Sequence, residues 1–194
     1  MRPDSPDEGE WGNDEEAWRA TATLFIIVEA RGAAGARIAE IQRRFDPKLA
    51  ARTPPHLTLT GSSGVGPLPI SLSVEQLRER LAPIAAATPA FTVPLGRPER
   101  FMQTNTIVLP VEPHGPIRVL HDRVARSGLP FAAAKFTFTP HVTLNYFATL
   151  TNRHVEELLR LRVEEPLRID HLQVTLAQEP ERPVVLCELP LAGA

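Results

Sequence analysis

The sequence predicts an α+β protein. It reads as a bilobal domain of two β-α-β-α-β-β units, related by a pseudo-twofold axis, with antiparallel sheets lining a central cleft. Three observations lead there. Runs of strand period alternate with segments of helical period along the chain. The order of these elements repeats, with first strands starting at 22 and 106 and second helices at 152 against 73, offsets of 84 and 79 residues. Finally, "TPPHLTLT" at 53–60 returns as "TPHVTLNY" at 139–146, with its histidine displaced by 85. Matching order at near-constant offset marks an internal duplication.

The elements follow in order. "ATLFIIVE" (22–29) is rich in β-branched and aromatic residues and predicts a buried strand. "GARIAEIQRRF" carries Ile38, Ile41 and Phe45 at helical spacing, and "DP" at 46–47 stops it. The stretch 56–60 alternates like a strand. Ser73 with Gln76 three residues on makes a capping box, followed by Val74, Leu77, Leu81 and Ile84 on one helical face; Pro83 predicts a kink or an early end. Short strands are expected near 90–95 and 99–103.

The second unit opens with "TIVLPVE" (106–112), a strand whose Pro110 predicts an edge or bulge. A helix near 116–127 carries Ile117, Leu120 and Val124 and closes at Gly128. Strand 141–147, helix 152–162 and strands near 167–177 and 183–189 complete the chain. The expected organisation is an acidic tail over 1–20 and one bilobal domain over 21–194, with halves of about 21–104 and 105–190.

Charge and composition narrow the class. Apolar residues make up 43% of the 194, enough for a core. The tail holds seven acids against Arg2 and Arg19, so the body carries +3 of the formal −2 total. Such a body tolerates a phosphate ligand without the basic surface of a dedicated duplex binder. The tail is expected to be flexible and solvated, with docking on the body through Trp11 and Trp18 as the alternative that the sequence leaves open. Cys187 is the sole cysteine, which excludes an internal disulfide framework and a Cys-rich zinc site. With neither a secretory h-region nor an apolar run of the roughly 18 residues a span requires, the reading is a soluble, cytoplasmic monomer.

The repeated stretches carry the chemistry. By strand alternation His56, Thr58 and Thr60 share one face while Leu57 and Leu59 point inward. In the twin, His141, Thr143 and Asn145 share a face over Val142 and Leu144. Each copy offers an imidazole and a hydroxyl about 7 Å apart along the strand. Two imidazoles supply a base and an acid near neutral pH, and two hydroxyls can hold non-bridging phosphate oxygens. One copy alone is ordinary strand chemistry; two at equivalent points of a duplication are not. "DHLQVTL" at 170–176 is a useful contrast, because His171 and Thr175 are four apart with no preceding proline, and His171 reads as structural.

The paired "HLTL" (56–59) and "HVTL" (141–144) resemble the signature of the two-histidine phosphoesterases. Within that superfamily the chain is most similar to the 2′-5′ RNA ligase-like proteins and cyclic phosphodiesterases, over roughly residues 20–190. The resemblance implies a cleft that opens or transfers 2′,3′-cyclic phosphate ends of a nucleotide or short RNA, with no cofactor and no metal. It assigns acid–base roles to His56 and His141 and phosphate contacts to Thr58 and Thr143. Bacterial RNA ligase-like members often carry an arginine just after the second motif, where this chain has Asn145 and Tyr146. Asn145 is therefore a candidate substrate contact, and Lys135 a candidate for the missing cation.

Other features read as structure. "GSSGVG" (61–66) matches no phosphate-loop pattern and predicts a flexible rim loop. His121 borders the core, and Tyr146 falls on the buried face by alternation. Two alternative readings remain: a cleft that binds a nucleotide without turning it over, and metal-assisted hydrolysis with the histidines as ligands. The latter lacks carboxylates on the same strand faces and ranks last. The motifs are nearly symmetric and do not say which histidine is acid and which base.

Overall fold

The computed structural model describes residues 22–101, 104–178 and 181–194. The acidic tail, Trp11 and Trp18 lie outside the described residues. In chain order the elements are β1 Thr23–Glu29, α1 Gly32–Phe45, α2 Pro47–Arg52, β2 His56–Thr60, α3 Val74–Ala86, β3 Phe91–Val93 and β4 Glu99–Arg100. There follow β5 Ile107–Pro110, α4 Pro116–Ala125, β6 His141–Asn145, α5 Asn152–Arg160, β7 Leu167–Ile169, β8 His171–Ala177 and β9 Val184–Pro190.

The strands form a seven-stranded sheet, β4-β5-β6-β2-β1-β8-β9, and a two-stranded sheet, β3-β7, with every strand pair antiparallel. The order is symmetric about the β6–β2 boundary apart from the outermost β9. Its symmetry has a twist that sequence periodicity does not carry. The last strand of the first unit, β4, pairs with β5 of the second, while β8 of the second pairs with β1 of the first. Strands β3 and β7, one from each unit, pair with each other. Each unit therefore contributes a late strand, β4 or β8, to the edge of the other's part of the sheet, and neither completes a sheet without the other.

Local sequence explains most boundaries. Ser73 Oγ accepts from the Gln76 amide at 3.2 Å while the Ser73 amide donates to Gln76 Oε1 at 2.9 Å, the expected capping box. Pro83 does not end α3, which continues to Ala86. Its ring sits on the exposed face, where water can serve the carbonyl left without an amide partner, while Leu81 and Ala85 beside it are buried. Asp46-Pro47 stops α1 as expected and also starts α2, with Asp46 Oδ1 accepting from the Leu49 amide at 3.0 Å and proline in the first turn. Pro110 closes β5, and a bulge lies between Ile107 and Val108.

The expected strand over 167–177 divides at Asp170. Residues 167–169 join the small sheet and 171–177 the large one, with Asp170 at the corner bonded to Arg168 and His171. A single hydrophobic core runs through both units, from Leu24, Ile26 and Leu57 to Leu109, Val142, Leu144 and Leu172, each at most 1% exposed. Burying a side chain of this size contributes about 1.5–3 kcal/mol, so the inward residues of the two motif strands anchor them firmly. Cys187 lies in this core, and burial pushes its thiol up from the ordinary value.

Candidate active site

The two motif strands are neighbours. β2 pairs antiparallel with β6, with Leu57 opposite Val142. One step to either side along that register, His56 stands opposite Thr143, and Thr58 opposite His141. The two histidines thus occupy one diagonal of a four-residue plaque and the two threonines the other. Diagonal neighbours in such a pair lie about 7–8 Å apart. All four are partly exposed, whereas Leu57, Leu59, Val142 and Leu144 are wholly buried beneath them.

Each imidazole is held in the same way. His56 Nδ1 lies 2.9 Å from the Pro54 carbonyl, and His141 Nδ1 lies 2.8 Å from the Thr139 carbonyl. A carbonyl only accepts, so both rings carry their proton on Nδ1 when neutral, leaving Nε2 as the basic nitrogen. The intervening prolines, Pro55 and Pro140, fix φ at about −65° between each carbonyl and its histidine. Burial lowers both histidines below 6.5; the two backbone carbonyls work against that shift, and the charge of His141 depresses His56 further.

Carboxylates from neighbouring strands complete the surroundings. Glu29 is the register partner of His56 on β1, and its charge favours the protonated imidazole. Glu99 does the same for His141 from β4, and Phe101 places its ring 4.8 Å from the His141 ring. Arg31 bridges Glu29 and Glu188 at 3.1 and 2.7 Å, and Gln173 donates to the same two carboxylates, which holds Glu188 down at about 2. These partners escape a reading of the sequence because they come from other strands. The one local signal is an acid, Glu29, closing an apolar strand. Among the described residues no group of three metal-ligating side chains assembles.

Several expectations need correction. Asn145 does not share the histidine face. It is fully buried, and its Nδ2 donates to the carbonyls of Asn105 and Ala148, both at 3.1 Å, so it clamps the turn after β6. The reason is a bulge: Thr143 faces Val108 and Asn145 faces Ile107, so two residues of β6 are spent on one step of β5 and alternation fails. β2 does the same, with Thr58 opposite Ile27 and Thr60 opposite Ile26, which buries Thr60 along with Leu59. The two motifs share the burial pattern down to the bulge. Tyr146 is 41% exposed rather than buried, for the same reason.

Lys135 stands on the exposed segment beside Gly64, whose amide donates to the Phe136 carbonyl. The 61–66 loop is not a loose rim. Gly61 donates to Val65, Gly66 to Ala132, and buried Ser63 accepts from the Thr139 amide. His171 is 2% exposed, with Nδ1 at 2.6 Å from Asp170 and Nε2 accepting from the Glu29 amide. Buried His121 stacks on Phe138 at 4.0 Å.

Comparison with known proteins agrees with this architecture. The chain is 32% identical over 105 residues to "Putative phosphoesterase OB1230" of Oceanobacillus iheyensis, covering 54% of this chain and 58% of that protein. It thus spans less than two thirds of the curated relative it matches. Among solved structures, TT0787 of Thermus thermophilus superposes with a TM-score of 0.60 at 19% identity, covering 88% of this chain and 98% of that one. E. coli LigT complexed with 3′-AMP gives 0.51 at 17% identity, over 88% and 98%. At such identities the likeness is one of fold. Residues 30–180 match the model of the 2′-5′ RNA ligase superfamily, and with most of its length matched the chain belongs to that superfamily, among the two-histidine phosphoesterases.

Proposed function

We propose that the protein is a phosphodiesterase that opens 2′,3′-cyclic phosphates at the ends of RNA or nucleotides, by acid–base catalysis between His56 and His141. The observation that carries this reading is the pair of imidazoles on one diagonal, each with Nδ1 bound to a backbone carbonyl and Nε2 left for proton transfer. One neutral Nε2 takes a proton from water, and the water oxygen bonds to phosphorus. The bond from phosphorus to the ribose 3′ oxygen breaks, and the other, protonated Nε2 delivers a proton to that oxygen. The product is a 2′-phosphate. A 5′-hydroxyl in place of water would give a 2′-5′ linkage by the same steps. Thr58 and Thr143, on the opposite diagonal, donate to the non-bridging oxygens and hold the group in line. No step draws on a metal or cofactor, and the chain works as a cytoplasmic monomer. The solved complex of LigT with 3′-AMP supports a nucleotide ligand.

The test is turnover of cyclic-phosphate substrates with product identification, in excess chelator. His56→Ala and His141→Ala should each lower kcat about 10²–10⁴-fold. Loss within a few-fold for both would refute the acid–base assignment. Nucleotide affinity without product across such substrates would instead favour a binding module.

A further inference from the structure

A basic and aromatic rim adjoins the His56 end of the plaque. Pro54 and Pro55, which hold and precede His56, also form a wall of a surface cavity of about 350 Å³ between α1 and the segment after α2. Arg43, Arg52 and Arg182 line it, and among the described residues no carboxylate does. Gln42, 2% exposed, also lines it; its Nε2 is committed to the Thr143 carbonyl at 2.8 Å, and its Oε1 has no hydrogen-bond partner within the protein.

Phe147 extends the rim. The Arg52 guanidinium lies 5.6 Å and the Lys48 ammonium 4.6 Å from its ring centre, and Tyr146 meets it edge-on at 4.9 Å. Tyr146 is 41% exposed, yet its backbone is fixed, because Asp46 Oδ2 accepts the amides of Tyr146 and Phe147 at 2.8 and 2.7 Å. An exposed, immobilised aromatic beside clustered arginines is the equipment for one more nucleotide: a π-face for its base and cations for its phosphate.

We infer that this rim is an extension subsite for a second nucleotide, with the arginine-lined cavity taking its phosphate and Tyr146 its base. The inference rests on the proposed reaction at the histidine pair and makes its substrate class a single-stranded oligonucleotide end rather than a cyclic mononucleotide.

The experiment has two arms on the full chain. In the first, kcat/KM is measured for a trinucleotide ending in a 2′,3′-cyclic phosphate and for a cyclic mononucleotide. The Arg43→Ala, Arg182→Ala double variant should cut the preference for the trinucleotide at least 10-fold, Tyr146→Ala several-fold, and Arg126→Ala, at the end of the far helix α4, should leave it unchanged. In the second, a labelled trinucleotide with a non-cleavable 3′-phosphate is titrated by anisotropy at several salt concentrations. The double variant should bind at least 10-fold more weakly, with a salt slope shallower by about 0.7 for each phosphate it no longer neutralises. Equal preference and equal binding in wild type and double variant overturn the subsite. Binding that behaves as expected in a protein that turns over no cyclic phosphate would retain the subsite and refute the reaction. Turnover of both substrates with no effect of the rim variants would do the reverse.

Discussion

Asp46 offers the sharpest test of how the two units are joined. It is wholly buried, and both carboxylate oxygens are occupied: Oδ1 by the Leu49 amide at 3.0 Å, Oδ2 by the amides of Tyr146, Phe147 and Ala148 at 2.8, 2.7 and 3.3 Å. One side chain of the first unit thus starts α2 and fixes the turn after the second motif strand. Asp46→Ala leaves four amides to find other partners. A hydrogen bond to a charged group contributes about 1.5–3 kcal/mol, but three of these share one oxygen and water can enter the space. A total loss of about 3–5 kcal/mol is expected, in line with breaking other buried charged networks. For a chain of this length that is a fall in Tm of about 6–20 °C. Asp46→Asn, keeping one oxygen, should fall between. The assay is urea unfolding followed by circular dichroism, with m compared to confirm that the same surface is exposed. A loss below about 1 kcal/mol for the alanine variant would refute the claim that Asp46 ties the units together.

The remaining expectations are brief. Because burial lowers both His56 and His141 from 6.5, and each imidazole serves in one protonation state, both limbs of the kcat/KM profile should lie on the acid side of that value. Activity should peak below pH 6.5 and already be falling at 7.5; a plateau from 7 to 8 would contradict this. Gly64 has φ +75°, and a Cβ there would sit 2.2 Å from His121 Nε2, whereas Gly115 has φ +67° and open space around it. Gly115→Ala should cost about 1–2 kcal/mol for the backbone alone, and Gly64→Ala clearly more in the same denaturation assay. Equal costs would mean that the 61–66 loop yields freely.

Much of this protein is legible in the sequence because its signals are local. The capping box of Ser73 and Gln76, the apolar face of α1 and the alternation of the motif strands each depend on residues a few positions apart. The repeat itself places His56 and His141 at equivalent points. Asn145 and Tyr146 are misplaced by alternation because a bulge is set by the register with a neighbouring strand, of which a single strand carries no trace. The double use of Asp46-Pro47 is half legible: the stop signal is local, while the partners of Oδ2 lie a hundred residues away.

Sequence alone determined the two chemical kits and the inward leucines and valines that seat them, since period-two alternation is a property of each strand by itself. Only the tertiary structure decided that β2 and β6 are hydrogen-bonded neighbours, which sets histidine and threonine on crossed diagonals. It also decided that the units trade strands β4 and β8, bringing Glu99 and Phe101 to His141 and His171 to the Glu29 amide beside His56. Pairing between distant strands is chosen by how the whole apolar surface can be buried at once, and no stretch of chain carries that choice alone.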